Sequence, residues 1–212
     1  MDLWTGQNAD CKMRDLTHYT TLAEIFRYPE SDRENFVGEW RKIIWNTLPE
    51  MAGKLEIFIN HIHEKSLTAQ QEYFIGTFDV QALCFLDIGY VLYGEDYNRG
   101  VFLSNMKMEQ EKAGNDCGFE LSDHLPNMLS LLPKIKDENL AEELVCSMMI
   151  PALEKMIEAF GSNENAYKGM LEILLGIMLG DFPETEFERF SFNSLEKAKT
   201  FECFPQWRNI KK

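Results

Sequence analysis

Apolar side chains recur every three or four residues along most of this chain, which is the spacing of one face of an α-helix. Such stripes cover residues 16–26, 36–62, 140–160 and 167–178. A strand would instead alternate apolar and polar residues, and we find no convincing stretch of that kind. The sequence therefore predicts an all-α fold, a compact bundle of many short to medium helices.

Length and composition limit the number of domains and the cellular compartment. A chain of 212 residues fits one domain, which we place at residues 1–185, followed by an irregular, aromatic-rich C-terminal tail at residues 186–212. The N-terminus has no basic region followed by an apolar stretch, and no apolar run is long enough to span a membrane. The cysteines are odd in number and form no C-x-x-C pair, so we expect reduced thiols in a cytoplasmic protein.

The net charge of −14 indicates which partners the surface favours. Nucleic acid is disfavoured, because phosphates attract clustered lysine and arginine. A basic peptide would be attracted and would meet the protein faster. Acidity can also serve only to keep a protein in solution.

Local signals predict where several helices begin and end. Pro49 should divide the long stripe at residues 36–62, because proline removes a backbone donor and crowds the preceding turn. Residues 82–93 are apolar on nearly every side, which predicts one buried helix. The polar segment at 94–100, GEDYNRG, then predicts a loop, and a charged helix is expected from Val101 to Lys112.

The stretch FELSDHLPNMLSLLP at residues 119–133 holds the densest group of reactive side chains. Ser122, Asp123 and His124 are adjacent, so they point in different directions and cannot form a Ser-His-Asp relay. Glu120 and His124 would share a helix face, but the further ligands of a di-iron bundle are missing. Asp123 is instead a good helix N-cap, with Pro126 in the first turn. That interpretation leaves His124 unexplained.

The segment ELSDHLPNMLSLLP resembles the signature of the redox-enzyme maturation chaperones, the TorD/DmsD/NarJ group. Glu120, Leu121, Asp123, Leu125 and Pro126 match the Glu-Leu-Pro-Asp-Tyr-Leu-Pro pattern of one branch. The Asp-His pair that begins at Asp123 matches the Pro-x-Asp-His pattern of the other. The sequence departs from the nitrate reductase branch at residue 122, where a serine stands in place of proline.

Three further segments are similar to elements of this family and occur in the same order. LAEIFRYPE at residues 22–30 matches its opening Leu-x-x-x-Phe-x-Tyr-Pro element. EYFIGTFD at residues 72–79 resembles the Tyr-x-x-Thr-Phe-Asp element of the nitrate reductase delta-subunit branch. YVLYGEDYNRGVFLSNMK follows with the Gly-loop and Arg-Gly of that branch, here Gly94, Arg99 and Gly100. Together these motifs extend over about residues 16–180.

The resemblance implies a cytoplasmic TorD-like chaperone without catalysis or cofactor, nearer the NarJ-like branch. Such a protein binds the N-terminal leader of a molybdopterin oxidoreductase, a twin-arginine signal or its remnant. It holds the apo catalytic subunit until the molybdenum cofactor is inserted, before export or membrane attachment. The implied peptide-binding residues are Glu120, Asp123, His124, Leu125, Pro126, Tyr90, Tyr93, Tyr97 and Arg99.

Two alternatives from other classes stay open. One is a helical protein-interaction scaffold unrelated to molybdoenzymes, and the other is a metal-binding helical bundle built on Glu120, His124 and the remaining histidines. The oligomeric state is open as well, because the aromatic-rich tail is compatible with a monomer or with a domain-swapped dimer.

Overall fold

The computed structural model describes residues 14–183 and 186–192, and within these ranges every regular element is a helix. The all-α prediction is therefore confirmed for this part of the chain. No helix in these ranges is long and apolar enough to cross a membrane. In chain order, α1 to α10 are His18–Ala23, Val37–Thr47, Ala52–Glu64, Leu67–Phe78, Ile88–Tyr93, Tyr97–Lys112, Leu125–Leu131, Glu138–Glu143, Ile150–Ala159 and Ala166–Asp181.

The centre of the bundle is an aromatic core around Tyr167 of α10. Its ring contacts Phe58 of α3 and Phe78 of α4 with centroids 5.2 and 4.9 Å apart. Trp40 of α2 is fully buried, and its indole N–H donates to the carbonyl of Thr21 at 2.9 Å. Long-range contacts of α10 with α3 and α9, and of α1 with α7, close the bundle around this core. Rings of this size contribute a large buried area, so they stabilise the bundle strongly.

Proline sets the boundaries of two helices. The predicted division at Pro49 is confirmed: α2 ends at Thr47, and Pro49 begins the 3₁₀ turn Pro49–Met51 that leads into α3. Between α8 and α9 the chain stays helical but widens into a π segment, Leu144–Met149, directly before Pro151. Proline has no backbone N–H and its ring crowds the carbonyl four residues earlier, which is the carbonyl of Ser147.

The predicted helix at residues 82–93 is wrong in its first half. Only Ile88–Tyr93 is helical, and Phe85 is 39% exposed. Asp87 forms an isolated antiparallel bridge with His124, which holds the backbone before α5 in an extended conformation. A short apolar run does not distinguish a helix from an extended buried segment, so periodicity alone could not reveal this.

The loop predicted at residues 94–100 is shorter than expected. Gly94 takes a positive φ of 62° and ends α5, whereas α6 already begins at Tyr97. The side chain of Asp96 caps α6 by accepting the N–H of Asn98 at 2.9 Å. Four residues of the predicted loop, 97–100, are therefore helical, and Arg99 lies in the first turn of α6.

The C-terminal tail falls largely outside the described residues, so its predicted boundary stays a prediction. The part at 186–192 is irregular, but Phe190 is almost fully buried and its ring packs against Tyr93 at 5.0 Å. The N–H of Phe190 donates to the carbonyl of Ser147 at 2.9 Å. Pro151 has no N–H to offer this carbonyl, and the Phe190 N–H supplies a donor from outside the helix.

Candidate functional site

The loop between α6 and α7 is fixed from beneath by three buried amide side chains. Gln110 donates to the carbonyl of Ser122 at 2.9 Å, and Asn127 donates to that of Leu121 at 3.0 Å. Asn115 joins the other two, because its amide donates to Gln110 Oε1 at 2.6 Å and to the carbonyl of Asn127 at 3.1 Å. Satisfied buried amides hold a loop in one conformation. The signature segment is therefore presented on a rigid support.

A short backbone bridge joins the signature segment to the start of α5. The N–H of Ile88 donates to the carbonyl of Asp123 at 3.1 Å, and the N–H of Leu125 donates to that of Leu86 at 2.9 Å. The bridge brings the Asp87 and His124 side chains together, with His124 Nδ1 3.0 Å from Asp87 Oδ1. The pair is partly buried and sits at the edge of the bundle.

Arg99 and Tyr90 extend this pair into a polar cluster. A guanidinium nitrogen of Arg99 lies 3.8 Å from Asp87 Oδ2, and the guanidinium stacks over the Tyr90 ring at 5.0 Å. The opposite edge of Tyr90 meets Phe85 at 4.6 Å. A cation over an aromatic face is attracted by the ring quadrupole, so Tyr90 holds Arg99 together with the carboxylates of Asp87 and, at 3.9 Å, Glu95. We call Asp87, Tyr90, Arg99 and His124 the polar cluster.

Asp123 lies beneath this cluster rather than on the surface. The side chain is fully buried, and Oδ2 accepts the N–H of Gly89 at 2.8 Å, while Oδ1 has no hydrogen-bond partner in the described part of the chain. Gly89 is required there, because a Cβ would lie 2.7 Å from Asp123 Oδ2. Burial, and secondly the Asp87 carboxylate, raise the pKa of Asp123 to about 6.

A cleft of about 420 Å³ lies where the first and last family-like motifs meet. One wall comes from the segment after α1, including Arg27, Tyr28 and Arg33. The other wall comes from Phe119 and from the signature segment that follows it, including His124. Phe119 is completely exposed and follows a positive-φ glycine, so its ring stands free at the edge. We call this space the motif cleft.

The motif cleft has an acidic rim. Glu30, Asp32 and Glu120 are exposed at its edge, and no ion pair joins them to a cation in the part of the chain that the structure describes. Arg27 does not neutralise them, because its guanidinium pairs with Glu24 at 2.8 Å. Uncompensated carboxylates raise the local concentration of positively charged ligands.

Five of the predicted site residues border the motif cleft or belong to the polar cluster: Glu120, His124, Pro126, Tyr90 and Arg99. Tyr97 is 85% exposed on the first turn of α6. Leu125 and Tyr93 are buried core residues, so their predicted surface position is wrong. Leu125 begins α7 and points inward, whereas Tyr93 packs between Phe102 and Phe190.

The predicted N-cap is also wrong. The N-cap residue of α7 is His124, without a side-chain cap, whereas Asp123 accepts its hydrogen bond from α5. The backbone bridge between Asp87 and His124 occupies the start of α7, so the Asp123 side chain points toward α5 instead. Pro126 does fall in the first turn, as predicted.

Sequence reasoning missed several residues that the structure brings to the site. Asp87 carried no local signal, because it stands inside an apolar run. Tyr28 and Arg27 belong to the quoted motif LAEIFRYPE, so the resemblance contained them without revealing that this motif faces the signature segment. Phe119 stood directly before the matched pattern.

The site offers little to the metal-binding alternative. Within residues 14–183 and 186–192, no group of three or more His, Cys, Asp or Glu side chains could hold a metal ion. Glu120 is exposed, whereas His124 pairs with Asp87. Burial, followed by the Asp116 carboxylate, raises the pKa of the Cys117 thiol in the cleft wall, which disfavours a reactive thiolate.

Comparison with known proteins adds no family assignment. No protein-family model matches the chain, and no curated protein matches it at a significant level. The family resemblance consequently rests on the sequence motifs alone.

Proposed function

We propose that this protein is a cytoplasmic assembly chaperone for a molybdopterin oxidoreductase, of the TorD-like, NarJ-like kind. It would bind the leader, or leader remnant, of the apo catalytic subunit in the motif cleft. The subunit would be held there until the molybdenum cofactor is inserted. A nitrate reductase is the client that the motifs favour, and the chaperone itself would carry no catalysis and no cofactor.

One observation carries this proposal: two family-like motifs that are far apart in sequence form opposite walls of one cleft. LAEIFRYPE supplies Tyr28, and the signature segment supplies Glu120 and His124. Packing does not explain these exposed residues, because other residues of each motif supply its contacts to the core. Exposed polar and aromatic residues around a concave surface are typical of a binding site.

The physical properties of the cleft suit a basic, amphipathic peptide. Tyr28 and Phe119 provide exposed rings for apolar side chains, and the acidic rim provides partners for lysine or arginine. Charge-assisted bonds from such cations to carboxylates are about twice as strong as neutral ones. The polar cluster closes one end of the cleft, since His124 belongs to both.

The proposal is tested by capture from the native cytoplasm with the tagged, full-length protein. Partners are identified by mass spectrometry under conditions in which a molybdopterin enzyme is being made. We expect the unaltered protein to recover a large molybdopterin-type catalytic subunit. If no such subunit is recovered, the helical-scaffold alternative becomes the leading function.

Two pairs of variants locate the binding surface in the same experiment. Glu120→Lys and Tyr28→Ala alter the motif cleft and should reduce recovery several-fold. Glu64→Lys and Trp45→Ala make the same kinds of change at exposed positions outside the cleft and should leave recovery unchanged. Equal recovery with all four variants would show that the client binds somewhere other than the motif cleft.

A further inference from the structure

Arg33 is a buried cation in the wall of the motif cleft, and its side chain is only 5% exposed. Nη1 donates to the hydroxyl of Tyr167 at 2.9 Å and Nη2 donates to the carbonyl of Ile25, whereas Nε–H finds no acceptor among the described residues. No carboxylate within residues 14–183 and 186–192 forms an ion pair with it.

A lone buried guanidinium is costly, because arginine does not lose its proton in proteins. The rings of Phe58 and Tyr167 lie 5.1 and 5.6 Å from the guanidinium carbon and compensate part of this cost. Two neutral oxygens and two rings still leave the full positive charge, together with unused N–H donors. An anion reaching this wall would complete the coordination of Arg33.

The charges of the motif cleft are thus separated by depth. Glu30, Asp32 and Glu120 are exposed at the rim, whereas Arg33 is buried in the wall. A ligand with only positive charge would use the rim and leave Arg33 without a partner. A free anion would have to pass the carboxylates, which repel it. A peptide that carries both signs of charge satisfies both parts of the cleft.

We propose that Arg33 recognises a carboxylate of the bound peptide, so that the cleft selects a segment with a basic side chain and, nearby, an Asp, a Glu or a terminal carboxylate. This inference rests on the proposed function of the cleft as a peptide site. It adds a second charge requirement, of opposite sign to the first. The basic side chain binds at the rim and the carboxylate binds deeper, which fixes the direction of the peptide.

The test uses labelled peptides of about 15 residues, a length typical of groove-binding segments. Each carries a central Arg-Arg pair, and one glutamate is placed at each other position in turn, with glutamine at the same position as its control. Affinity for the full-length protein is measured by fluorescence anisotropy. At one position, or two neighbouring ones, we expect glutamate to bind about five- to tenfold more tightly than glutamine, as one charge-assisted bond would give.

A protein variant and free anions complete the test. Arg33→Gln should abolish the preference for glutamate, whereas Lys136→Gln, outside the motif cleft, should keep it. If Arg33→Gln does not fold, the proposal is tested by the affinities of the glutamate and glutamine peptides for the unaltered protein. Sodium acetate at constant ionic strength should weaken the binding of the glutamate peptide and leave the binding of its glutamine control unchanged. Binding of acetate or phosphate to Arg33 without any preference for glutamate would overturn the proposal.

The remaining outcomes separate this inference from the proposed function. If Arg-Arg peptides bind and glutamate never exceeds glutamine, the carboxylate proposal fails and peptide binding stands. If glutamate is preferred but replacing Arg-Arg by Gln-Gln has no effect, Arg33 is an anion site and the basic-leader function fails. If no peptide binds, both are overturned.

Discussion

Asp123→Asn should stabilise this protein at neutral pH, although it replaces a residue of the signature segment. The pKa of Asp123 rises from 3.8 to about 6 in the fold, mainly through burial. Because one pKa unit corresponds to about 1.4 kcal/mol, ionising Asp123 costs the native state roughly 3 kcal/mol. Asparagine keeps an oxygen for the Gly89 N–H and carries no charge.

The sign of the pH dependence follows from the raised pKa. The folded state binds the Asp123 proton more tightly than the unfolded state does. The stability contributed by protonated Asp123 is therefore complete below about pH 4 and is lost as the pH rises through about 6. The variant has no such loss. The free energy of unfolding of Asp123→Asn should thus exceed that of the unaltered protein by about 3 kcal/mol at pH 8, and by roughly half as much at pH 5.

The assay is urea unfolding followed by tryptophan fluorescence, from pH 5 to pH 8. The lower limit is chosen because an acidic chain approaches zero net charge as its carboxylates protonate. Other titrating groups are common to both proteins and cancel in the difference. Glu64→Gln, at an exposed position, should change stability by less than about 0.5 kcal/mol at every pH.

The reasoning would be refuted if Asp123→Asn were less stable at pH 8, or if the difference did not grow with pH. Either result would mean that Arg99 and the Gly89 N–H stabilise the charged carboxylate more than burial destabilises it. A buried carboxylate retained at such a cost is typical of functional sites, but Asp123 touches no ligand surface. We therefore expect leader binding by Asp123→Asn to stay close to that of the unaltered protein.

Two further predictions concern packing and are checked by the same unfolding assay. Gly89→Ala should lower the free energy of unfolding by about 1–3 kcal/mol, because its methyl group would overlap Asp123. Gly100→Ala has open space in a helix and should raise this free energy by about 0.5–1 kcal/mol. Phe190→Ala should lower the free energy of unfolding by about 3–4 kcal/mol. Phe192 is 41% exposed, so Phe192→Ala should lower it much less. Equal losses for the two phenylalanine variants would show that the 186–192 segment does not pack as described.

The parts of the fold that were predictable are those with a local cause. Helical periodicity indicated an all-α chain, and the missing N–H of Pro49 marked the end of α2. Residues 82–87 were mispredicted, because the conformation of Asp87 depends on pairing with a segment more than thirty residues later, at His124. No local pattern reports such a partner.

The site residues were predicted correctly only where the motif residue is also exposed in the fold. Glu120 and His124 were found from the signature segment, but the same reasoning placed Leu125 and Asp123 on the surface, where the structure has them buried. A short motif fixes residue types without fixing which way each side chain points. Arg33 could not be singled out from the sequence, because the sequence does not show that its side chain is buried without a described carboxylate beside it.

The bond between the Ser147 carbonyl and the Phe190 N–H has a consequence for biosynthesis. Residues 138–159 leave the ribosome before Phe190 does, so the Ser147 carbonyl is made before its donor from Phe190. Domains generally acquire structure from the N-terminus during synthesis. A nascent chain that stops before Phe190 lacks the ring that packs on Tyr93 and the N–H that bonds Ser147, so we expect proteases to cut it more readily around these residues.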